Sequence, residues 1–289
     1  MSESDHKGSL YICATPIGNL SDVTLRVLDT LKKVHFIAAE DTRHSRILLN
    51  HYGIKVPLLS YHEHNERKRA EEIIEALKSG QDVALISDAG MPAISDPGQI
   101  LIKRCQEEKI SVDVLPGPNA ALTALVLSGI STEHFLYLGF PPAGKSERRK
   151  LLEKIKELRF TLIFYEAPHR LLDTLQVMHT MLEDREAAVV RELTKIHQTV
   201  HKGKISELIQ EFEQKAAKGE CCIIISPAED IQDHGDPDLW VKEYQDLKTQ
   251  GMPPTEAMKR IAKKYGVSKR EIYKATLDNE NKKERHKPF

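Results

Sequence analysis

Short apolar runs alternate along most of the chain with longer amphipathic stretches rich in Lys and Glu, and this alternation constrains the fold more than any other feature. Residues 10–14, 34–39, 83–86 and 112–115 read as strands with helical segments between them, which argues for an α/β lobe. A second series follows at residues 135–139, 161–165, 187–190 and 222–225, separated by helices such as 170–181 and 206–217. Two consecutive α/β lobes, residues 8–117 and 118–227, are the simplest account. The hinge falls at Pro116-Gly117-Pro118, because two prolines around a glycine end the fourth strand and redirect the chain before the Ala/Leu-rich helix from Asn119.

At 289 residues the chain has room for both lobes and a small appendage. Residues 226–238 are acidic, carry Pro227 and Pro237 and lack apolar periodicity, so a linker is expected there. Beyond it Thr255 can cap a helix with Met258, Ile261, Ala262 and Tyr265 on one face. Gly266 makes a turn, and Ser268 can cap a second helix carrying Ile272, Tyr273 and Leu277. A small helix-turn-helix-like domain over 239–280 is predicted, with a disordered polar tail over 279–289.

Several chemistries are excluded by spacing. No G-x-x-x-x-G-K-[ST] loop occurs, and the turn Thr15-Pro16-Ile17-Gly18-Asn19-Leu20 has one glycine where a dinucleotide fingerprint needs three. His62-Glu63-His64 lacks zinc-motif spacing and reads as a solvated loop; no metal is expected. Cys13, Cys105, Cys221 and Cys222 form no C-x-x-C pair, so reduced structural thiols are expected. Met1 to Lys7 lack the apolar core of a signal peptide, and no run approaches the roughly 18 apolar residues of a membrane helix, so a cytoplasmic protein is expected. The net charge is −1, so contact with nucleic acid requires local basic patches.

The densest candidate site is Ser87-Asp88-Ala89-Gly90-Met91-Pro92-Ala93-Ile94-Ser95-Asp96-Pro97-Gly98, which leaves the end of a buried strand, where open α/β sheets bind ligands. An ordinary Gly/Pro strand-to-helix turn is the alternative. This segment, the Thr15–Leu20 turn, Ala39-Glu40-Asp41-Thr42-Arg43, Pro116-Gly117-Pro118, Phe164-Tyr165-Glu166-Ala167-Pro168-His169-Arg170 and Arg191-Glu192-Leu193-Thr194-Lys195 together resemble the ribosomal RNA small subunit methyltransferase I family of the tetrapyrrole-methylase superfamily. The resemblance runs from about Gly8 to Ser226. It implies the two-lobed tetrapyrrole-methylase fold, a homodimer, and methyl transfer from S-adenosylmethionine to the ribose 2′-oxygen of a cytidine in the decoding region of 16S rRNA in the small ribosomal subunit. One departure is visible: Asn119 stands where the family has Ser. It can still cap the following helix, but an amide replaces the hydroxyl that would contact the cofactor.

By the same resemblance, Pro16, Asp88, Ala89, Gly90, Ile94, Ala120, Tyr165, Leu193, Thr194 and Cys222 surround the cofactor in the cleft between lobes, although Tyr165 and Cys222 equally suit a core. A sulfonium cation calls for a pocket of carbonyls and carboxylates without Lys or Arg. The substrate side needs cations for phosphates: Arg43, His44 and Arg46; Lys145, Arg148, Arg149 and Lys150; Arg170 and Lys195; and, on the tail, Lys259, Arg260, Lys263, Lys264, Lys269, Arg270 and Lys274. Any one of these also suits a solvated helix face. Asp88, Glu166 and His62 are candidates to take the hydroxyl proton, and the sequence does not choose among them. Two rival functions share part of the pattern, a methylase of tetrapyrroles or other small molecules and a ligand-sensing DNA regulator.

Overall fold

The apolar runs become strands because helices cover them on both faces. The computed structural model describes residues 7–228 and 236–284. In the first lobe β1 (Leu10–Cys13), α1 (Leu25–Lys33), β2 (Phe36–Ala39), α2 (Thr42–His51), β3 (Leu58–Ser60), α3 (Glu66–Lys78), β4 (Val83–Ile86), α4 (Gln99–Glu107) and β5 (Val112–Leu115) alternate. The strands form one parallel sheet in the order β3-β2-β4-β1-β5. Successive side chains of β4 divide between two cores: Val83 and Leu85 join Ile73 and Leu77 of α3, and Ala84 and Ile86 join Val27 and Leu31 of α1. That period of two is why the strand reads as uninterrupted apolar sequence.

The second lobe runs α5 (Ala120–Ser128), β6 (Phe135–Tyr137), α6 (Lys145–Ile155), β7 (Thr161–Glu166), α7 (Leu171–Leu182), β8 (Glu186–Arg191), β9 (Thr199–Lys204), α8 (Ile205–Gln214) and β10 (Cys221–Ile225). Its sheet order is β6-β7-β10-β8-β9, with β6 parallel to β7 and the other pairs antiparallel. Cys221 packs with Phe164 and Leu175 on one face, Cys222 with Ala124 and Ile163 on the other. Burial pushes their thiols up, to about 11 and about 12, so neither is a ready nucleophile. Strands β3 and β9 were not foreseen. Both lie at sheet edges, and the polar run Thr199–Lys204 is held by backbone pairing with β8, which leaves little apolar signal.

Both lobes belong to one compact unit, Met1–Ala228; Glu229–Phe289 is a second. Its helices α9 (Pro237–Thr249), α10 (Pro254–Tyr265) and α11 (Lys269–Glu284) pack Trp240, Tyr244, Leu247, Ala257, Ile261 and Ile272 together. Four expectations are corrected here. Of the expected linker 226–238, residues 229–235 lie outside the described residues, and its last part already starts a helix: Asp236 accepts from Asp238 N at 2.9 Å and Pro237 occupies the first turn, where its missing N–H costs nothing. Thr255 does not cap α10, which starts at Pro254 with Pro253 before it and no side-chain cap; on the helix after Gly266, Ile272 is buried and Tyr273 and Leu277 are exposed. Helix α11 also continues through Asn279 to Glu284, where a disordered tail was expected; residues 285–289 lie outside the described residues. Ser268 does cap, in a reciprocal box with Glu271: Glu271 N donates to Ser268 Oγ at 3.2 Å and Ser268 N to the Glu271 carboxylate at 2.7 Å. No helix among the described residues is long and apolar enough to cross a membrane.

Arg148, expected on an RNA-facing surface, is 2% exposed. Its guanidinium donates to the carbonyls of Pro142 and Ala143 at 3.1 and 3.0 Å, to Thr174 Oγ1 at 2.8 Å and to Asp173 at 3.0 Å, pinning the segment before α6 onto α7. Arg148→Ala strips the Ala143 carbonyl of this partner and leaves Pro142 and Asp173 to Arg170 and Lys145 alone, and should lower the unfolding free energy by about 3 kcal/mol in urea denaturation, while RNA affinity of the folded protein stays unchanged.

Candidate active site

Neighbouring strands β1 and β4 end side by side, and their loops are tied together. Thr15 and Gly90 exchange two backbone hydrogen bonds, at 2.8 and 3.1 Å, and Thr15 Oγ1 donates to the Ser87 carbonyl at 3.1 Å. Gly90 holds φ +79°, and Ala93 and Ser95 hold φ +68° and +64° without being glycine. Across the cleft Glu192 and Thr194, after β8, do the same at +51° and +60°. Each such residue costs on the order of 1 kcal/mol, so their concentration in two facing loops marks a site kept for more than folding. The lobes interlock at the same loops. Ile17 packs beside Leu193 in the second-lobe core, Asn19 N donates to Thr194 Oγ1 at 3.0 Å, and Ser95 Oγ shares a hydrogen bond with Tyr137 OH at 2.7 Å. A Cβ on Gly18 would lie 2.5 Å from the Leu193 carbonyl, so only glycine fits this approach.

Two adjoining cavities open there. The larger, about 410 Å³, is walled by Asp88, Ala89, Gly90 and Ile94 from the β4 loop, Asn119 and Ala120 at the head of α5, and Tyr165, Leu193 and Cys222 from the second lobe. Tyr165 accepts from Ala121 N at 3.2 Å, and Tyr137 and Phe140 meet its ring edge-on at 5.2 and 5.6 Å. Five carboxylates, Glu40, Asp88, Asp96, Glu166 and Glu220, line this cavity, and no Lys or Arg among the described residues does. The smaller cavity, about 260 Å³, lies against Thr15–Gly18 and α2, with His44 and Lys195 in its wall, and shares Ile17, Asp88, Ala89 and Glu220 with the larger.

Residues 9–209 match the family model of tetrapyrrole (corrin/porphyrin) methylases. The chain is similar to a ribosomal RNA small subunit methyltransferase I of Halalkalibacterium halodurans, 45% identical over 94% of this chain and 95% of the relative. A relative of the same name from Thermotoga maritima is 48% identical over 77% of this chain and 100% of its own length. The chain belongs to the ribosomal RNA small subunit methyltransferase I family. Two solved structures share the fold of the lobes: diphthine synthase, with TM-score 0.62 and 10% identity over 76% of this chain and 90% of that one, and the methyltransferase CobJ, with TM-score 0.60 and 18% identity over 76% and 95%.

For a member of this methyltransferase family, the larger cavity fits the cofactor that the resemblance implies, because a lining whose charged side chains are all carboxylates suits a sulfonium cation. Burial, then the neighbouring Glu40 and Asp88 charges, push the Asp96 carboxyl up to about 7. Burial and Asp88 likewise raise Glu40. Asp88 itself accepts from Asp41 N at 3.0 Å. Asp96 is expected from the sequence to lend negative charge to the Ser87–Gly98 loop, but Glu40 is not assigned to the site; the signal for it was its place beside a strand end, within the Ala39–Arg43 motif.

The remaining candidates are dispersed. Pro16 lines only the smaller cavity, and Thr194 lines neither but holds Asn19. Glu166 reaches the larger cavity, yet its buried carboxylate already accepts from Ala167 N at 2.9 Å and Thr174 Oγ1 at 2.5 Å and pairs with Arg170 at 3.3 Å, the geometry of a structural anchor. Arg170 is occupied in turn, donating to the carbonyls of Pro141 and Pro142 at 2.7 and 3.2 Å. His62 lines neither cavity, and Asn65 lies 3.0 Å from its ring. Arg43 is exposed and pairs with Asp41; His44 and Lys195 line the smaller cavity, and Lys195 also pairs with Glu192 and Glu220. Lys269, Arg270 and Lys274 are exposed on α11 in the second unit.

A raised acid favours the protonated fold, so Asp96 contributes stability that is fully present below its unfolded value near 4 and lost as pH rises through about 7. A bound cation reverses the preference. Cofactor affinity measured by calorimetry should therefore climb between about pH 6 and 8, by at most about tenfold per unit from this one group. Asp96→Asn should flatten that climb and make the ligand-free protein more stable than the parent above pH 7.

Proposed function

We propose that this chain transfers a methyl group from S-adenosylmethionine to the ribose 2′-oxygen of a cytidine in the decoding region of 16S rRNA, with the cofactor in the larger cavity. One observation carries the proposal: in a chain of this family, the cavity at the ends of β1 and β4 is lined by five carboxylates and, among the described residues, no Lys or Arg. Asp88, Ala89, Gly90, Ile94, Ala120, Tyr165, Leu193 and Cys222 hold the cofactor, which supplies an electrophilic methyl group on its sulfur. Asn119 spends its side-chain oxygen capping α5, accepting from Leu122 N at 3.0 Å. Among the candidate bases Asp88 is favoured, since it lines both cavities and its second carboxylate oxygen can take the hydroxyl proton. His44 and Lys195 stand on the substrate side, with Arg43 outside them.

Mapping ribose methylation on 16S rRNA from cells that lack the protein tests this directly: one cytidine should lose its 2′-O-methyl group and regain it with the purified enzyme and cofactor. Asp88→Asn should lower kcat by about 10²–10⁴-fold while sparing RNA binding. Transfer to a porphyrinoid and not to rRNA would favour the small-molecule reading.

The domain plan follows as lobes 8–117 and 118–227 and a helix-turn-helix-like RNA-docking domain 239–280. Lys259, Arg260, Lys263, Lys269, Arg270 and Lys274 are exposed on α10 and α11, whereas Lys264 pairs with Glu243. The Thermotoga maritima relative is matched along its full length by 222 residues, fewer than the first compact unit holds, which supports an accessory role for the second. The homodimer belongs to the proposal as well: α5 exposes Leu122 and Val126, one turn apart, an apolar face that suits a second copy. So does a cytoplasmic location. Ending the chain at Ala228, or changing Lys269, Arg270 and Lys274 together to Gln, should weaken rRNA binding and flatten its log–log salt slope by about 0.7–0.9 per lost phosphate contact, with cofactor affinity unchanged.

A further inference from the structure

With the cofactor in the larger cavity, the smaller one is still to be explained. Pro16, Ile17, Leu20, Ile47 and Leu48 make its walls largely apolar. Ser45 of α2 lines it too; the residue is 4% exposed, and its buried hydroxyl has no hydrogen-bond partner among the described residues. An unsatisfied buried hydroxyl costs about 1–3 kcal/mol, a cost removed when a ligand atom completes the bond. Outside, α2 exposes Arg43 and Arg46, whereas His44 and Lys195 stand in the wall; Ile47 is 58% exposed. Apolar walls and an orphaned hydroxyl suit a flat heterocycle whose phosphates remain outside near Arg43 and Arg46; in the wall Lys195 is already paired with Glu192 and Glu220, and Asp88 and Glu220 line the same space, which disfavours a free phosphate. At about 260 Å³ the space is below the roughly 300–1,000 Å³ of drug-sized sites, so it takes one small ring system and no macrocycle.

We propose that the smaller cavity receives the base of the target nucleotide, extruded from its stack, with Ser45 Oγ bonded to the base edge. The inference rests on the rRNA reading above and adds where the base goes. Asp88 and Ala89 line both cavities, so a nucleotide anchored here presents its ribose towards the cofactor cavity. Seating the extruded base fixes where its own ribose, and so the 2′-oxygen, lies relative to the cofactor cavity.

Ile47→Trp tests the proposal, because it covers the cavity from an exposed position at little cost to folding. The full-length variant should bind S-adenosylmethionine within about twofold of the parent and bind small subunits with the same salt dependence. Its methyl transfer should fall by about 100-fold or more, the cost of a displaced target. Ser45→Ala should lose about tenfold in kcat/KM, one hydrogen bond's worth, with no loss of thermal stability. The parent should also prefer subunits whose target nucleotide keeps its base over subunits abasic at that position, and Ile47→Trp should abolish the preference. Three results would overturn the assignment: undiminished transfer by Ile47→Trp, a parallel loss of cofactor affinity that gives the cavity to the cofactor, or equal transfer by the parent to abasic and intact targets. No methyl transfer to rRNA by the parent would instead defeat the underlying reading.

Discussion

Two backbone hydrogen bonds between Thr15 and Gly90 hold the active-site cleft in shape. They join the loops leaving β1 and β4, so neither can move without the other. The β1 loop is gripped in turn by the second lobe, where Ile17 packs beside Leu193 and Gly18 lies against its carbonyl. Pro118 and Ser95 extend the contact, the first through its carbonyl near Gly90 and the second through Tyr137. Left-handed backbone at Ala93, Ser95, Glu192 and Thr194 survives because this mesh over-determines it.

Charge is sorted around that mesh. Acids gather in the larger cavity, where burial and their neighbours' charges push the carboxyls of Asp96 and Glu40 up. Cations stand at α2, at Lys195 and on the helices of the second unit. A near-neutral chain thus gathers acids in one cavity and leaves cations exposed elsewhere on its surface, with Lys195 paired to Glu192 and Glu220 at the boundary. Within the acidic set Glu166 is the anchor, accepting from Ala167 N and Thr174 Oγ1 and pairing with Arg170, which in turn holds the segment before α6.

Diphthine synthase and CobJ share the lobes at 10% and 18% identity, so the two-sheet frame tolerates almost complete replacement of its side chains. A core needs volume and alternation and accepts many sequences that supply both.

The sequence by itself determined the two α/β lobes, the family and the Ser87–Gly98 loop, because strand periodicity and turn chemistry are local properties written in adjacent residues. It determined the Asn119 and Ser268 caps for the same reason. Edge strands β3 and β9 and helix α9 escaped it: edges need little apolar surface, and Pro237 signals a helix start as readily as a linker. Only the tertiary structure decided that Arg148 and Arg170 are buried or bonded struts, that Glu40 and Asp96 share a cavity, and that Ser45 has a hydroxyl without a partner. Those properties depend on which distant segments meet, and a residue's own neighbours in the chain carry no record of what it will face across a cleft.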